Sequence, residues 1–240
     1  MILYVNGDSY SAVSNGKRYS DFLGESLGRK VINNAIPGSC NDRIFRTSLR
    51  DLIQLKLQYS DVIAVISLSF PIRTELWDQH IKNNKFSNDG EFTSIQPVTS
   101  KDWYLDKTIS EKKYKEFCKQ FLTYYNIEAE TVKLLQNIIL LTAWCKQNKV
   151  PYVIISGTLQ EPIDFTAPFV KPFYDAMLND SNIVNIFKNS FTEWCVTNGF
   201  VPIDNYTQEI HKKTYIIGHH GEAAHKAFAN FLIDNYFHEI

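Results

Sequence analysis

Hydrophobic and polar positions along this chain fall into two rhythms. Ile2-Leu3-Tyr4-Val5 is a short unbroken apolar run that ends in the polar stretch Asn6-Gly7-Asp8-Ser9. This is the pattern of a strand buried on both faces that leaves the core through a tight turn. Gly7 is expected to supply a positive φ at that exit. Further runs of the same kind are Val31-Ile32, Asp61 to Ser69 and Val150 to Gly157, with Phe200 to Ile203 as a weaker fifth. The Asp61–Ser69 run is apolar enough for a central parallel strand.

Between these runs the spacing changes to three and four. Tyr19, Phe22, Leu23 and Leu27 share one helical face, and Gly28 is the expected stop. A second helix is expected from about Asp42 to Tyr59, burying Phe45, Leu49, Leu52 and Ile53 with Leu55 at the edge of the stripe. Ser110 to Asn148 carries a long helical pattern with a bend near 125–128. Shorter helices are expected around Pro172–Leu178 and from Ile183 to Thr197, and a final one from Glu222 to Phe237. Residues 204–218 read as a loop, and about 78–109 as a long irregular excursion holding Trp103 and Tyr104. A segment of that length is a lid or a surface excursion. Alternating strands and helices predict an α/β/α three-layer sandwich around a doubly wound, flavodoxin-like parallel sheet of about five strands. With no repeat, low-complexity tract or linker, residues 1–240 read as a single domain.

Composition narrows the function classes. A net charge of -1 carries no basic bias toward nucleic acid or an acidic membrane. Neither G-x-G-x-x-G nor a P-loop is present, which argues against nucleotide binding. No stretch reads as a membrane span or signal peptide, so a cytoplasmic protein is expected. Cys40, Cys118, Cys145 and Cys195 form no C-x-x-C pair, and reduced thiols are expected. The His219-His220 pair with His225 lacks a familiar zinc spacing, so neither a metal nor any other cofactor is expected. Aromatic residues make up 14% of the chain, enough either to fill a core or to add a sugar-stacking groove.

The candidate chemistry lies at the ends of the strands. Ser9 falls just past the carboxyl end of the first strand, where open parallel sheets place their sites. It could act as a nucleophile if a base and an oxyanion hole reach it. His219 or His220 could approach it from the loop before the last helix, whereas His225 is expected to position that helix. Donors for an oxyanion are the Ser9 N–H, the Gly38 N–H in the turn after the second strand, and Ser69 at the end of the third.

These spaced blocks resemble the SGNH, or GDSL-type, hydrolase family. Gly7-Asp8-Ser9 stands where that family has its first block, Gly38 matches its second, and His219 with His225 six residues later matches its last. The resemblance implies an SGNH hydrolase fold over nearly the whole chain, Ser9 as nucleophile, His219 as base, and hydrolysis of a small ester, such as an O-acetyl group on a carbohydrate. Two positions depart from the pattern. Ser69 stands where the family places an oxyanion-binding Asn, with Arg73 or Asn41 as candidates to compensate. Ile216 and Ile217 stand where the acid that orients the His is expected, leaving Asp204, Glu209, Glu222 or a backbone carbonyl for that part. Asp8 is expected to hold the turn. Arg73 and Glu75 read either as a solvated ion pair or as cleft residues. Besides a serine esterase, the pattern admits a binding module on the same fold, or a structural module of a larger assembly whose contact surface is the 78–109 excursion. It leaves an oligomer open.

Overall fold

The computed structural model describes residues 1–12, 16–77, 92–95, 111–157, 164–184, 189–203, 206–210 and 213–238. Most of the 78–109 excursion, including Trp103 and Tyr104, lies outside the described residues, as does Asp204. Four strands form the parallel sheet: β1 (Ile2–Asn6), β2 (Lys30–Asn33), β3 (Val62–Leu68) and β6 (Tyr152–Ser156), in the order β2-β1-β3-β6. Ile2 of β1 is in register with Lys30 of β2 and Val62 of β3, and Ala64 of β3 with Tyr152 of β6.

The pleat divides the core in two. Tyr4, Ala64, Ile66 and Ile154 face helices α2 (Asn41–Gln58), α4 (Ile127–Gln147) and α5 (Lys171–Leu178). Leu3, Val5, Ile63, Val65 and Ile155 face α1 (Tyr19–Ser26), α6 (Phe191–Thr197) and α7 (Glu222–Leu232). Helices thus cover both faces of a sheet whose strands are apolar on both sides, as a doubly wound arrangement requires. The chain passes from β1 to β2 in one direction and returns to β3 on the other flank of β1. The carboxyl end of β1 is therefore the switch point, where a crevice opens between diverging connections.

Several expected elements are placed differently. A fifth ladder strand is absent among the described residues. Beside β6 the chain makes only an isolated parallel bridge, Ile183 to Ile154, closed by Ile154 N–H to Asn182 O and Val184 N–H to Ile154 O, each 3.0 Å. The helix expected from Ile183 begins only at Phe191. Its true start is marked by a capping box, with Ser190 and Glu193 bonding each other's backbone N–H. Phe200–Ile203 does not join the sheet. Pro202 lacks the N–H a ladder needs and instead bridges antiparallel to His220, while Val201 and Ile203 stay exposed.

The expected loop 204–218 contains an antiparallel pair, β7 (Tyr206–Ile210) with β8 (Lys213–Ile217). The excursion contributes β5 (Phe92–Ile95) against β4 (Thr74–Trp77). The long helical stretch divides as expected into α3 (Glu111–Tyr124) and α4, the latter capped by Asn126. On α2 the buried face is rotated from the expected stripe. Leu49 and Ile53 are more than a third exposed, whereas Ile44, Thr47, Ser48, Leu52 and Leu55 are buried. The rotation has a polar cause. Asn6, wholly buried at the end of β1, directs Nδ2 at Thr47 Oγ1 (2.8 Å), Ser48 Oγ (2.9 Å) and Ile44 O (3.2 Å), and its Oδ1 accepts the Gly7 N–H at 2.9 Å. A buried amide must be satisfied, so the helix turns its small hydroxyl residues toward the strand exit.

Candidate active site

The first turn after β1 is held by Asp8. Its carbonyl accepts the N–H groups of Ser11 (3.1 Å) and Ala12 (2.9 Å), and its carboxylate accepts that of Tyr10 (3.2 Å). Asp8 thus ties the turn together through both its backbone and its side chain. Gly7 serves it by its size: its φ is not positive, but a Cβ there would lie 2.8 Å from Ser67 Cβ and 2.9 Å from Ser11 Oγ. The turn leaves Ser9 partly exposed, between two buried neighbours.

His219 arrives from the far end of the chain, between β8 and the Gly221 N-cap of α7. Its Nε2 lies 2.9 Å from Ser9 Oγ, a hydrogen bond that spans 210 positions of sequence. Tyr10 packs on the imidazole with ring centroids 5.1 Å apart. Ile203 donates its N–H to the His219 carbonyl at 2.8 Å, which fixes the backbone of the loop from the other side. His220, the alternative base, is buried edge-on to Phe191.

The second turn is Ile36-Pro37-Gly38-Ser39. Ser39 N–H reaches Ile36 O at 3.1 Å, and Gly38 has φ +79°. Pro at the second position and a left-handed Gly at the third make a type II turn. Among the described residues, neither the Ser9 nor the Gly38 N–H donates to an intramolecular acceptor. Arg43, one of the largest fully buried side chains, supports the turn through Ser39 Oγ (3.2 Å) and Asn34 O (3.4 Å).

The third turn places Ser69, Asn41 and Arg73 together. The Asn41 amide pairs with the Ser69 backbone, Nδ2 to O at 3.0 Å and Oδ1 from N at 2.8 Å. It therefore anchors the end of β3 to the start of α2. Ser69 Oγ accepts Arg73 Nη1 at 2.6 Å, and its hydroxyl acts on the Asp8 carboxylate. The same Nη1 lies 3.3 Å from Asp8 Oδ2 and 3.4 Å from Ser39 O. A single guanidinium nitrogen thus touches the turns after β1, β2 and β3. Arg73 does not pair with Glu75, because Glu75 is held bidentately by Arg46 at 2.6 and 3.0 Å. Burial pushes the Asp8 carboxyl up from its ordinary range, and Arg73, the Tyr10 N–H and Ser69 pull it back.

Of the carboxylates that could orient His219, Glu222 is turned elsewhere, its Oε2 accepting the Lys17 N–H at 3.4 Å. No group of His, Cys, Asp and Glu among the described residues is arranged to hold a metal. No helix among them is long and apolar enough to cross a membrane. Sequence reasoning missed Asn6, Tyr10, Arg18 and Arg43. The available signal was for Asn6 alone, a polar residue closing an otherwise apolar segment, which must be satisfied if buried.

Fold and site together define an α/β protein with a serine–histidine pair at the carboxyl edge of a parallel sheet. No protein-family model and no curated protein sequence matches the chain. Solved structures similar to it include a G-D-S-L family protein from Desulfitobacterium hafniense DCB-2, at 12% identity over 96% of both chains with a TM-score of 0.41. An acetyl xylan esterase is similar at 11% identity over 98% of both chains, with a TM-score of 0.48. The esterase EstA from Pseudoalteromonas sp. is similar at 12% identity over 98% of this chain and 95% of that one, with a TM-score of 0.45.

Proposed function

We propose that this protein hydrolyses small esters through an acyl-enzyme on Ser9. The observation that carries this reading is the 2.9 Å contact between Ser9 Oγ and His219 Nε2. Ser9 Oγ attacks the ester carbonyl carbon while His219 Nε2 takes its proton. The oxyanion is received by the Ser9 and Gly38 N–H groups, with the Arg73 charge behind them in place of a side-chain amide. Collapse expels the alcohol, which takes the proton from His219. Water then attacks the acyl group, giving its proton to His219, and Ser9 leaves with that proton as the acid departs. Carbohydrate O-acetyl groups are the substrate class, on the strength of the block resemblance and the supply of aromatic side chains. Asp204 is the acid proposed to orient His219, on its place in the sequence alone. It is joined directly to Ile203, whose N–H holds the His219 carbonyl, whereas Glu222 is engaged by Lys17.

The engagement of Asn41 and Ser69 with their own neighbours favours a second reading, a binding or structural module that keeps the fold without turnover. Labelling with a fluorophosphonate probe separates the two. The wild type is expected to label stoichiometrically at Ser9, and Ser9→Ala and His219→Ala to show no labelling. Asp204→Asn is expected to slow labelling by about 10²–10⁴-fold and Glu222→Gln by less than about threefold. Folded wild-type protein that takes up no probe would establish the binding-module reading instead.

A further inference from the structure

We infer that Arg18 and His225 form a buried latch that sets the position of His219 against Ser9. The functional meaning of the latch rests on the ester hydrolase reading. Arg18 sits at the N-cap of α1 with its residue only 9% exposed. Its Nε donates to Ala12 O at 3.2 Å. Ala12 is the residue whose N–H closes the Asp8 turn, so one arm of the guanidinium grips the nucleophile turn itself. The other arm, Nη1, lies 2.8 Å from His225 Nε2. A guanidinium donates and has no lone pair to accept with. His225 is therefore neutral, with its proton on Nδ1.

His225 lies in the first turn of α7, six residues beyond His219. Its ring is stacked on Phe191 at 4.8 Å and on Tyr19 at 6.1 Å, each at 24° between planes. The ring thus packs against two aromatic rings that also touch each other, Tyr19 and Phe191 lying 6.1 Å apart. Tyr19 is itself tied to the nucleophile turn, its hydroxyl 2.6 Å from Ser11 Oγ. Through Arg18 and the Tyr19–His225 stack, the turn that presents Ser9 is joined to the helix whose entry presents His219. Their separation is fixed by a planar fork and two stacked rings. Arg18 and His225 are positioning residues, acting through the backbone on either side of the Ser9–His219 contact. A fork with two donors at fixed angles has no equivalent in lysine. Displacement of a reacting pair by about 1 Å can cost about 100-fold in rate.

Four variants and two readouts test the latch. Arg18→Lys and Arg18→Gln remove the fork. His225→Phe keeps an aromatic ring in the stack and removes the acceptor, and His225→Gln restores a neutral acceptor. Fluorophosphonate inactivation of Ser9 is measured as a maximal rate and a half-saturation concentration. The 15N signal of His219 Nε2, which reports the bond to the Ser9 hydroxyl without turnover, is recorded by NMR. Arg18→Lys and His225→Phe are expected to lower the maximal rate by about 10–100-fold, to shift half-saturation by less than threefold, and to move the Nε2 signal toward that of Ser9→Ala. His225→Gln is expected to recover most of the rate, and the double variant Arg18→Lys with His225→Phe to be no slower than the slower of its two single variants. Wild-type inactivation and an unshifted Nε2 signal in folded Arg18→Lys and His225→Phe would overturn the latch and leave the pair a stabilising contact only. If the wild type takes up no probe, the ester hydrolase reading fails, and the Nε2 signal alone decides the latch.

Discussion

The Asp8 carboxylate has no solvent exposure, and its nearest countercharge is a guanidinium that is itself 9% exposed. Arg73 is needed there because a buried carboxylate without a partner is costly, while a pair with good hydrogen bonds roughly offsets its own desolvation. Removing one partner is therefore worse than removing both. Arg73→Met is expected to lower stability by about 3–5 kcal/mol, and the double variant Arg73→Met with Asp8→Asn to be more stable than Arg73→Met alone. Urea unfolding of the four proteins in the cycle checks this, and strictly additive losses would show that the two groups are not coupled. Ser9, Asp8 and Gly38 were legible as a set because each sits in a short polar turn after an apolar run. Arg18 and Arg43 were not, since a lone arginine in a polar or amphipathic stretch reads as solvated until its neighbours are known.

Among the elements, helix α1 packs tightly over β2 at Gly24. A Cβ on Gly24 would lie 2.3 Å from Val31 Cγ2 and 3.1 Å from Arg29 O. Gly24→Ala should gain up to about 1 kcal/mol from helix propensity, yet the overpacking costs about 1–3 kcal/mol. The net expectation is a lower midpoint of denaturation with an unchanged slope, largely reversed by adding Val31→Ala. A stabilised Gly24→Ala would mean that the helix can move off the strand. The order of strands and helices along the chain was readable from apolar spacing, and so was the bend between α3 and α4. Misplacements occurred where an apolar segment had two readings. Ile183-Val184 fits a helical face as well as a bridge beside β6, and Val201-Pro202-Ile203 looks apolar enough for the core yet is exposed. Local pattern cannot tell which apolar segment finds a free sheet edge.

For the whole molecule, His225 ties stability to pH. Burial first, then the Arg18 charge and the nearby His220 and His219, hold its imidazole down at about 3 from an ordinary 6.5, with the His220 backbone opposing. The unfolded chain then binds a proton that the folded one refuses. Stability due to neutral His225 is complete above the unfolded value and is lost as the pH falls from about 6.5 toward 3. Asp8, whose carboxyl is pushed up by burial, works in the opposite sense. The effect of His225 is isolated by comparison with His225→Gln, which cannot titrate. The wild type is expected to lose roughly 3–5 kcal/mol more than this variant across that window, measured by chemical denaturation at stepped pH. Parallel pH profiles would show that His225 is free to protonate in place.

What the amino-acid order determined by itself was the alternation of buried strands and amphipathic helices, and the fact that short polar turns follow the strands at Ser9, Gly38 and Ser69. Both are consequences of local periodicity and turn chemistry, which act over a few residues. What only the tertiary structure decided was which polar groups meet. The 2.9 Å contact between Ser9 and His219 joins the first turn to the last loop, Asn41 turns to the Ser69 backbone, Glu222 turns to Lys17, and one nitrogen of Arg73 draws three turns together. These choices depend on the strand order β2-β1-β3-β6, which brings the ends of three strands side by side. They depend as well on the requirement that every charge taken into the interior find a partner there.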